Sequence, residues 1–191
     1  MVHKLRKAMG NRDNRYTLEG IIEMDEDYFT IEASEKEHNI QKAGRGSKTK
    51  SNVMVMAKST VLENIETEKQ ERQCRYFKAK VLENNQVDTT DKTLQQAIDS
   101  EKAIVFTNKS TSYVNIANYV ELHISETTTK ETLKWVSIRI SNAKRNFVGT
   151  HKIKKKYLQL YLNEFVFKLN RRYFGEKIFD RLVIANIIGY N

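Results

Sequence analysis

The chain has 191 residues, with 33 Lys and Arg against 24 Asp and Glu and a net charge of +9 at pH 7. That length suits one domain with a sizeable core, and that charge suits a polyanionic partner, nucleic acid before an acidic membrane surface. No apolar run reaches membrane-spanning length and no signal-peptide core follows Met1, so a cytoplasmic domain with no membrane partner is expected. A single cysteine, Cys74, permits no internal disulfide, and the scattered His3, His38, His123 and His151 lack zinc-site spacing.

Val2 to Arg12 carries a sparse helical pattern through Val2, Leu5 and Met9, with Lys4, Arg6 and Lys7 opposite, and is expected to stop at Gly10. Residues 1–17 therefore read as a basic lead-in helix and linker, and 18–191 as the main domain. Leu18 to Ile31, LEGIIEMDEDYFTI, is rich in β-branched and aromatic residues and is the best central-strand candidate. Alternation puts Ile21, Glu23, Asp25 and Asp27 on one face and Ile22, Met24 and Glu26 on the other. Carboxylates in so apolar a strand need an exposed strand end, a basic partner or a hard cation such as Mg²⁺, and spacing alone leaves all three open.

Ser34 to Lys50 holds Lys36, Lys42, Arg45, Lys48 and Lys50 around Gly44 and Gly46, a basic loop with phosphate contact or simple solvation as its readings. It is not a phosphate-binding P-loop, because Thr49 stands where the second glycine belongs. Asn52 to Lys58 and Arg75 to Leu82 read as strands, with Ser59 to Gln73 a polar excursion between them. A helix is expected over Asp91 to Ser100, a buried strand over Ala103 to Phe106, then a polar turn from Thr107-Asn108. A short helix through Tyr113, Ile116 and Ala117 and a fifth strand over Val120 to Ile124 follow.

Glu131 to Val148 shows a helical stripe at Leu133, Val136, Ile140, Ala143 and Phe147, with Lys134, Ser137, Ser141 and Lys144 beside it. Lys154 to Phe174 buries Leu158, Tyr161, Leu162, Phe165 and Leu169 and exposes Lys154, Lys155, Lys156, Lys168, Arg171 and Arg172. A last helix, Glu176 to Ile187, offers Ile178, Phe179, Leu182 and Val183 as its apolar face. The order β-β-β-α-β-α-β-α predicts an α/β domain with a mixed five-stranded sheet flanked by helices, the order of the ribonuclease-H-like fold, with additional C-terminal helices.

Several segments together resemble the catalytic domain of bacterial insertion-sequence transposases of the DDE type, in the group that ends its catalytic set with Asn, His or Glu followed by Lys. They are LEGIIEMDEDYF, GRGSKTK, FTNKSTSYVNI, and above all WVSIRISNAKRNFVGT followed by KKKYLQLYLNEFVFKLNRRYF. The resemblance spans about Ile21 to Ala185. It implies DNA transposition and recombination through two Mg²⁺ or Mn²⁺ ions held by carboxylates, one activating the nucleophile and one the leaving oxygen. Asp25 matches the first metal-binding aspartate, with Glu23 and Asp27 as supporting groups. Asn108 stands where the family has its second aspartate, and Ser137 where close relatives have histidine; Lys144 keeps the basic partner seven residues on. The resemblance thus makes Asp25, Asn108, Ser137 and Lys144 the catalytic positions, with Asp25 and Asn108 the metal positions.

One aromatic residue of the family pattern is missing just before His151, and the zinc-ribbon and helix-turn-helix region of the relatives is expected to be missing ahead of the domain. The expected DNA contacts are Arg45, Lys48, Lys50, Lys144, Arg145, Lys154, Lys155, Lys156, Arg171 and Arg172. Two outcomes remain open: a DDE-type transposase with impaired catalysis, or a non-catalytic DNA-binding remnant that interferes with an intact transposase. In either, the expected partners are DNA and a second copy or an intact transposase, in a bacterial cytoplasm and at the nucleoid when DNA is bound.

Overall fold

The computed structural model describes residues 1–32, 49–63, 70–83, 87–127, 132–148 and 153–188. In chain order these form α1 (Val2–Asn14), β1 (Leu18–Thr30), β2 (Lys50–Glu63), β3 (Gln70–Val81), α2 (Val87–Ala97), β4 (Ile98–Thr107), β5 (Leu122–Ser125), α3 (Lys134–Val148), α4 (Lys155–Asn170) and α5 (Ile178–Ile188). The strands make one sheet in the order β3-β2-β1-β4-β5, so β1 lies at its centre, as its composition predicts. β2 runs antiparallel to β1, with Asp25 opposite Val55, whereas β4 runs parallel to β1, with Met24 opposite Thr107. A parallel pair brings two strand ends that follow the same direction to one edge of the sheet, and that edge carries the candidate site.

The two faces of β1 fill two cores. Phe29 and Ile31, with Val53, Val55 and Phe77, pack under α3 and α4 through Val136, Ile140, Leu158 and Leu162. Ile22 and Met24, with Met54 and Met56, pack on the opposite face against Leu94 of α2, Val105, Tyr113 and Ile116. The strand period of two assigns these apolar residues to the two faces, and it also places Glu23, Asp25 and Asp27 on the first face and Glu26 on the second.

Several local expectations change. The helix expected over Asp91 to Ser100 is Val87–Ala97, and β4 begins at Ile98 instead of Ala103. The β2 and β3 strands extend to Glu63 and from Gln70, pairing through the stretch expected as a polar excursion. Polar residues suit strand pairing at a sheet edge, where β3 lies, as well as they suit a loop. The expected short helix through Tyr113 is instead two 3-10 turns, Thr111–Tyr113 and Ile116–Asn118. Helix α1 continues through Gly10 to Asn14, because the missing Cβ makes room for Asn163 of α4; a Cβ there would meet its Nδ2 at 2.1 Å. Arg6 on Glu164 at 2.7 Å and His3 stacked on Tyr157 complete the α1–α4 seam. Finally, α5 leaves its expected apolar face largely open, Phe179 being 68% and Val183 42% exposed, since it lies at the end of the molecule beside α1.

Candidate functional site at the ends of β1 and β4

The parallel register that sets Met24 beside Thr107 places the next residues, Asp25 and Asn108, side by side. Asn108 Nδ2 donates to Asp25 Oδ1 at 2.8 Å, and the Glu26 backbone N–H donates to the same oxygen at 2.8 Å. Asn108 Oδ1 in turn accepts from the Ser110 N–H at 3.1 Å. The two neighbours fix the orientation of the amide: a carboxylate needs the NH₂ end, and a backbone N–H needs the oxygen. The Asn108 carbonyl is held from the other side by Thr107 Oγ1 at 3.0 Å and Ser125 Oγ at 3.2 Å, and His123 Nε2 lies 2.8 Å from that threonine hydroxyl. Burial pushes the Asp25 carboxyl above its usual range, a direction reinforced by the charges of Asp27 and Glu26 and opposed by the Glu26 N–H.

The other two acids on this face of β1 also have partners. Glu23, buried, accepts the N–H groups of Trp135 at 2.6 Å and Val136 at 3.0 Å through one oxygen. These are first-turn amides of α3, which lack partners inside the helix and carry its positive dipole end, so a carboxylate there anchors the helix to the sheet. Leu133, just before the helix, adopts φ 57, a left-handed conformation that a non-glycine residue holds only when its surroundings fix it. Asp27 pairs with Lys144 Nζ at 2.5 Å. Both members are substantially exposed, so the pair adds little stability. On the opposite face, Glu26 accepts from Asn52 Nδ2 at 2.6 Å.

Asp25, Glu26, Asn52, Asn108, Ser112 and Tyr113 line a cleft of about 960 Å³. The structure therefore joins Asp25 to Asn108 but does not bring Ser137 or Lys144 to the cleft wall. Ser137 sits exposed on α3 and Lys144 is turned to Asp27. Buried Tyr113 and the Glu23 anchor were not assigned these roles from sequence; alternation gave the face of Glu23, but its helix partner is 112 residues away.

Among the expected DNA contacts, Lys50, Arg145, Lys154, Lys155 and Lys156 are exposed. Arg172 is exposed too, although its guanidinium also donates to the Leu169 carbonyl at 2.8 Å. Arg171 corrects the expectation of an exposed cation: it is buried against Asp13 at 2.5 Å and stacked over Phe167. A nearly dry carboxylate draws it inward. Arg45, Lys48 and the position before His151 lie outside the described residues.

A mixed five-stranded sheet in this order, flanked by helices and carrying an aspartate of its central strand beside the end of β4, is a ribonuclease-H-like domain. The model of the ISXO2-like transposase domain matches residues 17–170, and the chain belongs to that family of insertion-sequence transposases. No curated protein and no solved structure gives a match. The family's chemistry uses divalent metal, but the donors at this cleft do not fit a pair of dications. Asp25 Oδ1 is already taken by two N–H donors, and Asn108 offers its NH₂ to the centre. Among the described residues no group of three or more His, Cys, Asp or Glu side chains is placed to hold a metal ion. No described helix is long and apolar enough to cross a membrane.

Proposed function

We propose that the chain is a transposase-type DNA-binding domain in which DDE strand cleavage and transfer is impaired. The observation that carries this reading is the amide bridge: Asn108 donates to Asp25 and turns its own oxygen to Ser110. A hydrogen-bonded aspartate and a neutral amide supply one negative charge where the family's chemistry uses two. Such a loss is on the order of a thousandfold in rate. Asp25, Asn108, Ser137 and Lys144 remain the positions of the ancestral site, and the exposed Lys50, Arg145 and Lys154 to Lys156 supply DNA phosphate contacts without reading sequence. A folded chain that occupies DNA without cutting it would compete with an intact relative, either directly or as a mixed oligomer.

Supercoiled plasmid tests the chemistry without a cognate end sequence. The unmodified protein should nick it no faster than Asp25→Ala, whereas Asn108→Asp with Ser137→His should recover nicking, more readily with Mn²⁺ than with Mg²⁺. Nicking by the unmodified protein that Asp25→Ala removes would refute the impairment. Replacing Lys154, Lys155 and Lys156 together should reduce the slope of log affinity for DNA against log salt by roughly two to three. An unchanged slope would make that helix end a solvated surface only.

A further inference from the structure

A second cavity, of about 270 Å³, lies at the opposite end of β1, between the end of α1 and strand β3. From Leu18 at its wall to Asp25 is seven residues of strand, roughly 20 Å. The cavity and the Asp25 cleft share no lining residue.

Its polar wall is unusually dry. Asp13 and Lys78 both line it, and they are only 7% and 5% exposed. Asp13 Oδ1 takes the Arg171 guanidinium, while Asp13 Oδ2 is buried with no hydrogen-bond partner among the described residues. The Lys78 ammonium makes no hydrogen bond or salt bridge among the described residues. One carboxylate thus serves two buried cations. The other charged side chains nearby do not correct the excess: Lys58 is matched by Glu19 at 3.3 Å, and Lys80 donates to the neutral Asn14. Burial lowers the Lys78 ammonium to about 8, Lys80 adds to that, and Asp13 only partly opposes it. Tyr16 and Tyr76 also line it, their rings 6.2 Å apart and inclined by 30°.

We propose that this cavity binds a nucleoside monophosphate, free or as the 5′-terminal nucleotide of a DNA strand. The phosphate meets the Lys78 ammonium, and the base lies against Tyr16 and Tyr76. An anion then offsets the excess positive charge left by two buried cations on one carboxylate, and the base extends the Tyr16–Tyr76 ring pair. A space of about 270 Å³ is of the size of one nucleotide, so on the DNA side a terminal nucleotide, with the strand leaving from its 3′ side, is the fit proposed. The proposal is independent of whether the Asp25 cleft is active.

The test is calorimetric titration of the full chain with 5′-dAMP, with inorganic phosphate and deoxyadenosine as separate ligands. Saturable binding of dAMP is expected, at least about tenfold tighter than either fragment and weakened about tenfold or more by Lys78→Met. Tyr16→Ala, at a side chain that is 40% exposed, should weaken it without disturbing the fold, and it carries the test if Lys78→Met does not fold. Competition by a short duplex bearing a 5′-phosphate, but not by the same duplex without one, assigns the site to strand ends. Displacement by neither duplex assigns it to free nucleotide. Absence of saturable binding, binding unchanged in both variants, or phosphate binding as tight as dAMP overturns the proposal.

Discussion

The Asp25 cleft and the Lys78 cavity occupy opposite ends of one strand, and they differ in how far the protein satisfies its own charges. On the helix-facing side of β1, Glu23 has two backbone amides, Asp25 has the Asn108 amide, and Asp27 has the Lys144 ammonium. At the other end, two buried cations share one carboxylate whose second oxygen is unmatched. Polar groups satisfied internally gain little from a ligand, whereas buried groups left short of a partner gain much. The end of β1 that holds Asp25 and Asn108 thus satisfies its charges internally, while the end that holds Asp13 and Lys78 does not.

The sharpest way to break the comparison is to remove Arg171. If the Arg171 guanidinium is what holds Asp13, Arg171→Met should lower unfolding free energy by about 3 kcal/mol in urea titration, because the carboxylate loses its hydrogen-bonded cation and keeps only the nearby Lys78 charge, which makes no hydrogen bond to it among the described residues. The full loss should ease at acid pH. Burial raises the Asp13 carboxyl above its usual value, so the folded state binds the proton more readily and stability gains as pH falls toward 4. A loss below about 1 kcal/mol would place the pair among ordinary surface contacts.

The cleft end yields a somewhat smaller effect. Glu23→Ala should remove the anchor of the α3 N-terminus and destabilise the protein by roughly 1–3 kcal/mol, read as a shift in urea midpoint. Glu23→Gln keeps one acceptor oxygen for the Trp135 and Val136 amides and should lose less. Equal losses in the two variants would mean that packing, not the amide contacts, sets the role of this residue.

The smallest effect is a pH trend. The folded-state pKa of Lys78, about 8, lies below its ordinary 10.5, so between those values the unfolded chain binds more protons. Stability should therefore rise with pH from about 8 to 10, by roughly 1–2 kcal/mol once solvent access through the cavity is allowed for. Lys80, shifted the same way by burial, adds to the trend. Lys78→Met should flatten most of it, and thermal melts across that pH range would show whether it does.

Much of this was legible in the residues, and the parts that were not share a cause. The central strand and its two faces follow from an alternation that is local to Leu18–Thr30. The pairing of β1 with β4, and with it the meeting of Asp25 and Asn108, follows from the family resemblance. By contrast, Arg171 is buried by Asp13, 158 positions earlier, and Gly10 is spared a helix end by Asn163. Neither partner lies within the window that periodicity samples. The long β2–β3 hairpin escaped because its polar residues fit strand pairing at a sheet edge and a loop alike. The open face of α5 escaped because an amphipathic pattern says which side is apolar and not whether anything covers it.

The proposed impairment implies that the Asn108 amide weakens divalent-metal binding at Asp25. The most direct measurement is the shift in melting temperature on adding Mn²⁺ to the unmodified protein, to Asn108→Asp and to Asp25→Ala. The account predicts no shift in the unmodified protein beyond that of Asp25→Ala. For Asn108→Asp it predicts a lower melting temperature without metal, from two carboxylates at hydrogen-bond distance, and a clear rise when Mn²⁺ is added. A Mn²⁺-induced rise in the unmodified protein that Asp25→Ala abolishes would contradict it.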